Sequence, residues 1–313
     1  MTHHAYLMIV AAVALDLLAG DPPHVPHPVR GVGWLLDGLE RAARRFPGHL
    51  RLAGVVCVAV AAGASGGAAF GLAALPVVGW ACALYLAYAG LALGCLRREC
   101  GHVAALLEAD DLTGARAGLA MLVSRDTSAL DRDGVARALA ETLAENFTDG
   151  FVAPLFWLVV GGPAGMWAYK AVSTMDSMWG YKTDTWRALG WAGARCDDAL
   201  AWIPARLAAC ALLCAGWTLG VRVPGGLGAV AAHARRMESP NAGWSMAAAA
   251  WLCGAAMGGP AVYFGQVKHK PVLGASGGGV WDGPRLALLD TLVLRAGVGC
   301  ALLLPLPLVW LVP

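Results

Sequence analysis

Arg137, Glu141 and Glu145 recur at every fourth position, so in a helix they share one face. Such a stripe is either a solvated row of intrahelical ion pairs, the reading that suits Glu141, or part of a site. Glu145 stands differently, because Asn146 and Asp149 follow it just ahead of an apolar segment. Two carboxylates and an amide this close together are hard oxygen ligands of the kind Mg²⁺ takes. Further along, Trp167–Tyr181 (WAYKAVSTMDSMWGY) sets Lys170, Ser173, Thr174, Asp176, Ser177 and Tyr181 beside or within an apolar stretch. Ionisable groups at membrane depth are costly and are functional candidates by default; the alternative is that Lys170 and Asp176 pair with each other. Arg195, Asp197, Asp198 and Arg206 then bracket Trp202-Ile203-Pro204. Adjacent carboxylates cannot share one helix face, so Asp197 and Asp198 are expected to split roles. One would bind a metal and the other would hold Arg195 or Arg206.

Weaker signals set limits. Asp21-Pro22-Pro23 with His27-Pro28 is a rigid turn or a helix terminator, since proline fixes the backbone. The run Gly274–Gly279 (GASGGG) lacks the following Lys-Ser/Thr and fails as a Walker A loop. The 8 histidines show no metal spacing, and neither G-x-S-x-G nor H-E-x-x-H occurs, which disfavours hydrolase and metalloprotease chemistry. Without a basic run or an aromatic-basic alternation, nucleic acid is not an expected partner. The 9 cysteines contain no C-x-x-C, and most lie in or beside apolar stretches, so free thiols are expected.

The elements that must position these groups follow from composition. Of 313 residues, 58% are hydrophobic and 14% charged, with a mean hydropathy of +0.60. Soluble domains carry roughly a quarter charged residues, so a polytopic membrane protein is the default. Crossing a bilayer takes about 20 apolar residues. Candidates are Tyr6–Gly20, two spans within Leu52–Leu96, Ile203–Val223 and Leu286–Val312. Phe151–Ala168, interrupted by Pro154 and Gly161-Gly162-Pro163, and the Ala/Gly-rich Ser245–Phe264 read as further spans or broken, re-entrant segments. Five or six spans plus one or two broken segments are expected. The start, Met1–Gly20, reads as a retained first span and not as a cleaved signal. The small-residue run Ala61–Phe70 (AAGASGGAAF) predicts close helix packing.

The fold expected is therefore an all-α helical bundle in the membrane, one domain over 1–313, with a polar helical section at 97–150. That section holds ten of the 21 acidic residues. Its pattern predicts a helix over Val103–Val123 broken at Asp110–Gly114, then a second helix capped by Asp131 or Asp133. Arg30, Arg41, Arg44, Arg45 and Arg51 precede the Leu52–Leu96 hairpin, and Arg97 and Arg98 follow it. Both clusters can be cytoplasmic, because a hairpin returns the chain to its starting side.

Several runs then combine in a distinctive order: Arg125-Asp126-Thr127; Glu145-Asn146 with Asp149-Gly150; Ala153-Pro154-Leu155-Phe156; and Tyr169-Lys170-Ala171-Val172. Thr174-x-Asp176-Ser177-Met178, Gly180-Tyr181, Asp197-Asp198 and Ile203-Pro204-Ala205-Arg206 continue the order. So do the opening Asp16 and Gly20-Asp21-Pro22-Pro23 with His27-Pro28-Val29, the run Ser239-Pro240-Asn241-Ala242-Gly243, and Gly258-Gly259-Pro260 near Tyr263. Together they resemble the adenosylcobinamide-phosphate synthases of cobalamin biosynthesis, the CbiB/CobD membrane family, over nearly the whole chain. Ser173 departs from the pattern, which has Asn there.

The resemblance implies an amide ligase that joins adenosylcobyric acid to (R)-1-amino-2-propanol O-2-phosphate, or to free aminopropanol, with ATP and Mg²⁺. A carboxylate and an amine do not condense in water at useful rates, whereas an acyl phosphate is open to amine attack. Catalysis is then mostly positioning and electrostatic stabilisation. On this reading Glu145, Asp149, Asp197 and Asp198 are the metal candidates, and Arg125, Lys170 and Arg206 hold phosphates. Asp126 or Asp176 takes a proton from the attacking ammonium, and Thr127, Asn146, Thr174, Ser177, Tyr181 and Asn241 bind substrate. The implied location is the cytoplasmic (inner) membrane with the site facing the cytoplasm, and other corrin-pathway membrane enzymes are candidate partners. A small-solute transporter would share the broken helices and intramembrane Lys and Asp. A non-catalytic regulatory protein of the same superfamily is the other alternative.

Overall fold

A computed structural model describes residues 2–22, 25–263, 265–275 and 277–310. In chain order its elements are α1 (Thr2–Ala19), α2 (Pro28–Ala43), α3 (Leu50–Ala73), α4 (Gly79–Gly90), α5 (Leu93–Glu108), α6 (Leu112–Ala120) and α7 (Arg132–Asn146). A π-helical turn, Phe147–Val152, follows α7. Then come α8 (Ala153–Trp179), α9 (Trp191–Leu200), α10 (Trp202–Thr218), α11 (Gly226–Ala234), α12 (Ala242–Cys253), the strands β1 (Met257–Tyr263) and β2 (Gln266–Leu273), α13 (Gly283–Leu303) and α14 (Leu306–Trp310). Pro23 of the expected proline turn, Ser276 of the glycine-rich run and the last residues of the Leu286–Val312 stretch lie outside the described residues.

The molecule is an all-α, polytopic membrane bundle with one small hairpin. Among the described residues, Pro47–Ala73, Gly79–Glu108, Arg132–Trp179 and Gly283–Leu308 are long and apolar enough to cross a bilayer, and a fifth span is counted if α9 and α10 act as one. That is fewer than the five or six expected, plus broken segments. Ser245–Phe264 accounts for part of the difference, because only its first half is helical. From Met257 the chain turns into an antiparallel hairpin paired from Met257↔Leu273 to Tyr263↔Gln266, with an irregularity between Met257 and Gly259. Pro260 and Pro271 sit one on each strand, and proline breaks helix interiors. Gly258 and Gly259 have φ of 93° and 87°, open to glycine alone at little cost.

The chain divides into two compact units. Unit 1 comprises Met1–Ala92, Ala153–Ala201 and Ala301–Pro313; unit 2 comprises Leu93–Val152 and Trp202–Cys300. In unit 1, α3 packs along α8. It buries Gly54, Cys57, Ala61, Gly66 and Ala69 and exposes Leu52, Val55, Val56, Val60 and Phe70. Small residues inside and large apolar ones outside suit a helix solvated by lipid, where close backbone approach supplies the contact. A Cβ on Gly66 would lie 3.0 Å from the Ala164 carbonyl oxygen and 3.3 Å from the Ala168 Cβ, so the AAGASGGAAF run packs as expected. Within α8 the Gly161-Gly162-Pro163 break is a kink at Gly162, with φ 60° and ψ −161°.

In unit 2 the polar section folds as its pattern predicts. Helix α5 ends at Glu108, Asp110 takes φ 59°, and α6 starts at Leu112. The Asp111 side chain accepts from Gly114 N–H, and Asp131 caps α7 by accepting from Gly134 N–H, both at 2.8 Å. Ten of the 15 residues of α7 are buried, Glu141 included, which is unusual for a segment of this polarity. The nine cysteines are all free, with Cys57, Cys100, Cys253 and Cys300 buried and Cys214 exposed on α10.

Candidate active site

Unit 2 holds the residues from Arg125 to Asp149 together with Arg206 and Asn241. Glu141 does not lie on a solvated stripe: it is 1% exposed. Its Oε2 accepts from Arg125 Nη2 at 2.5 Å and its Oε1 from Gly258 N–H at 2.6 Å. Arg125 is 8% exposed in its side chain, sits over the Tyr263 ring and keeps a buried Nε with no hydrogen-bond partner among the described residues. Burial opposes its charge, but Glu141, with Tyr263 and Glu145 nearby, holds the guanidinium above its ordinary value. The pair therefore fastens the loop before α7 to the hairpin, and Asp126 N–H adds a bond to Val262 O at 3.0 Å.

The neighbours of Arg125 are also committed. Asp126 is exposed and accepts from both Ser128 Oγ–H and Ser128 N–H, which holds its carboxyl below the usual range and makes it a weaker base. Thr127 is buried and donates to Arg116 O. Asn146 donates to Thr142 Oγ1 at 2.9 Å. Glu145 and Asp149 are half-buried at the passage from α7 into the π-turn. Such turns are rare and frequently mark functional sites. The turn is pinned to α12 by a Thr148–Ser245 hydroxyl bond of 3.0 Å.

Arg206 is held in another way. Its guanidinium lies 4.2 Å from the Trp202 ring centroid and 4.6 Å from that of Trp244, and Nη1 donates to Trp202 O and Asn241 Oδ1. No carboxylate neutralises it among the described residues. A planar cation fixed by stacking and one amide is preorganised for an anion, and a lysine would keep the charge without the fork.

Unit 1 holds the Lys170–Tyr181 run and Asp197-Asp198. Lys170 does not pair with Asp176. Its Nζ donates to Gly90 O at 3.0 Å, and Asp21 and Asp16 are the carboxylates within its electrostatic reach. Ser177 Oγ–H returns to Ser173 O within α8, and Thr174 and Tyr181 are half-buried. Asp176, Asp197 and Asp198 act on one another as like charges. Ser173 hydrogen-bonds the Asp197 carboxylate, so the residue that departs from the family pattern supports this cluster. Among the described residues, Asp197 Oδ1 is buried with no hydrogen-bond partner.

Like-charged carboxylates with an unsatisfied buried oxygen suit a cation. Among the described residues no three His, Cys, Asp or Glu side chains converge as a metal cage. Mg²⁺ rarely uses such a cage, taking one or two carboxylates and completing its shell with water and phosphate oxygens. The Asp197 oxygen fits that demand. In the glycine-rich run, Gly279 N–H donates to Gly254 O and Gly278 N–H to Ala275 O, so these two donors are spent locally. The partners of Glu141 were not legible in the sequence, lying 16 and 117 residues away. Its place in an otherwise apolar stretch of α7 was the available signal.

Comparison with known proteins agrees with this chain-wide pattern. The family model described as CobD/Cbib protein matches residues 9–280. A cobalamin biosynthesis protein CobD of Photorhabdus laumondii is 40% identical over 272 residues, covering 84% of this chain and 85% of the relative. A CbiB of Salmonella typhi is 38% identical over 310 residues, covering 92% and 96%, and a CobD of Geobacter metallireducens is 40% identical over 272 residues, covering 85% and 86%. No solved structure matches. With matched motifs running from the first loop to the hairpin, the chain belongs to the CobD/CbiB protein family.

Proposed function

We propose that this protein is an ATP-dependent amide ligase of cobalamin biosynthesis, joining adenosylcobyric acid to (R)-1-amino-2-propanol O-2-phosphate or to free aminopropanol. The relatives named as cobalamin biosynthesis proteins supply the pathway. The observation that carries the chemistry is the buried, unpartnered Asp197 Oδ1 beside two further carboxylates. ATP supplies the phosphoryl group that makes a carboxylate carbon attackable by an amine, and Mg²⁺ offsets charge on the phosphates.

The chain's own residues then divide the work. Asp197, with Asp198, offers hard oxygens to a divalent ion, and Ser173 orients the Asp197 carboxylate. Asp176 accepts a proton from the ammonium, because the neutral amine is the nucleophile. In unit 2, Arg206 is the phosphate contact, aimed by Trp202, Trp244 and Asn241. Glu145 and Asp149 supply further oxygens at the π-turn, and Asn146 and Tyr181 serve substrate binding. Arg125 and Lys170 have weaker claims, since Glu141 and Gly90 already hold them.

The test supplies purified, detergent-solubilised protein with ATP, Mg²⁺, adenosylcobyric acid and aminopropanol phosphate. Amide product detected by mass, dependent on ATP, supports the ligase. Folded protein that yields no product under these conditions overturns it, and substrate flux into vesicles without product favours a transporter.

A further inference from the structure

A cavity of about 230 Å³ in unit 1, lined among others by Asp21, His27, Arg30, Tyr85 and Tyr88, lies where the chain leaves α1 and enters α2. An adjoining hollow of about 360 Å³ shares His27 and Arg30 and reaches Trp34. Helix α4 builds one wall and fastens both ends of the connection: Tyr88 donates to Gly20 O, and Tyr85 donates to Pro26 O at 2.9 Å. His27 is fixed as the N-cap of α2, its Nδ1 accepting from Val29 N–H at 3.2 Å. That leaves the proton on Nε2, which faces Asp21 Oδ1 at 3.7 Å, beyond hydrogen-bond length.

The opposite charges that line this cavity, Asp21 and Arg30, are not paired with each other among the described residues. Lys170 is the ammonium within reach of both Asp21 and Asp16. Asp21 itself is exposed on the cavity wall, and the ion pair it makes among the described residues is the 3.7 Å contact with His27, which leaves its carboxylate open to a second cation. Arg30, exposed on the first turn of α2, makes no ion pair among the described residues. A carboxylate on one wall and an unpaired guanidinium on another complement a small molecule that carries both signs.

We propose that this cavity binds a β-aminoalkyl phosphate, its ammonium at Asp21 and its phosphate on the Arg30 fork. Arg forms paired hydrogen bonds to phosphate oxygens, and the tyrosine rings exclude water around the short carbon link. Resting on the ligase reading for its identity, the ligand is the phosphorylated amine substrate, held apart from the Asp176–Asp197–Asp198 cluster until used. The ethanolamine phosphate head of a bilayer lipid shares this chemistry and is the other source.

The experiment is calorimetric titration of the full chain with (R)-1-amino-2-propanol O-2-phosphate, without ATP or corrinoid, in nanodiscs of phosphatidylcholine. Saturable binding is expected, weakened tenfold or more by Asp21→Asn and by Arg30→Ala, with Arg30→Ala leaving the weaker binding of unphosphorylated aminopropanol unchanged. Wild-type affinity in both variants overturns the site. Should Asp21→Asn fail to fold, Arg30→Ala at its exposed position still decides. Binding that persists in nanodiscs rich in phosphatidylethanolamine supports the substrate, and binding abolished there gives the cavity to the lipid head and overturns the substrate assignment. Turnover separates the two proposals. If wild type makes no amide, the ligase reading falls while the binding result stands; if amide forms with unchanged KM for the amine in both variants, this site alone falls.

Discussion

In unit 2 the buried carboxylate of Glu141 is met from two sides, by Arg125 and by the Gly258 N–H. In unit 1 the buried Oδ1 of Asp197 has no hydrogen-bond partner, and the charges beside it, Asp176 and Asp198, carry its own sign. A chain with 14% charged residues thus spends one buried carboxylate on architecture and, among the described residues, leaves one oxygen of another without a hydrogen bond. Desolvating a charge costs several kcal/mol unless a partner compensates it. Glu141 has recovered that cost within the fold, whereas on the proposed function the unit 1 cluster would recover it from a bound cation. The difference separates a fastening from a site, although sequence alone makes both look like acids in apolar surroundings.

The comparison breaks most easily at the fastening. Glu141→Ala leaves the Arg125 charge buried and unpaired, an expected loss of about 3–5 kcal/mol, seen as a lower unfolding midpoint in detergent. Replacing both partners, Arg125→Met with Glu141→Leu, should recover most of that loss. If the double variant is as unstable as the single one, the pair does more than fasten. Next in size is Arg206→Lys, which keeps the charge but loses the stacking and the fork. Affinity for ATP should fall about tenfold with stability little changed, as expected when a bidentate or stacked arginine is replaced. An unchanged affinity would move the phosphate contact elsewhere. The smallest effect is of opposite sign. Asp176→Asn removes a like charge from the unit 1 cluster and should raise stability by a few tenths of a kcal/mol while lowering turnover, the trade-off typical of functional sites. A destabilised Asp176→Asn protein would mean that this cluster is architectural too.

Features that depend on near neighbours were legible before the fold. The break between α5 and α6, the Asp131 cap, the small-residue face of α3 and the Gly162 kink all follow from spacing or from residues with a single backbone preference. The hairpin was not, because Ser245–Phe264 is as apolar as a span, and only Pro260 and the paired glycines marked its second half. Within the candidate site, Asp176 and Asp197 stood out as acids in apolar sequence, and both fall in the like-charge cluster. Lys170 stood out equally but turned to Gly90, Asp16 and Asp21, since the partner of a long side chain is chosen by tertiary packing. Glu141 was misjudged for the same reason. Periodicity places a residue on a helix face but does not say what covers that face.

The unsatisfied Asp197 Oδ1 is the observation on which the proposed ligase chemistry depends. Its most direct test measures amide formation by Asp197→Asn against wild type across a Mg²⁺ titration, with the fold of each checked by its unfolding midpoint. An asparagine keeps the size and the contact with Ser173 but removes the charge. The account predicts a folded protein whose rate at saturating substrates falls about 100-fold or more, in line with the loss of one preorganised electrostatic contact, with a higher Mg²⁺ requirement. A folded Asp197→Asn protein with the wild-type rate and Mg²⁺ dependence would contradict it.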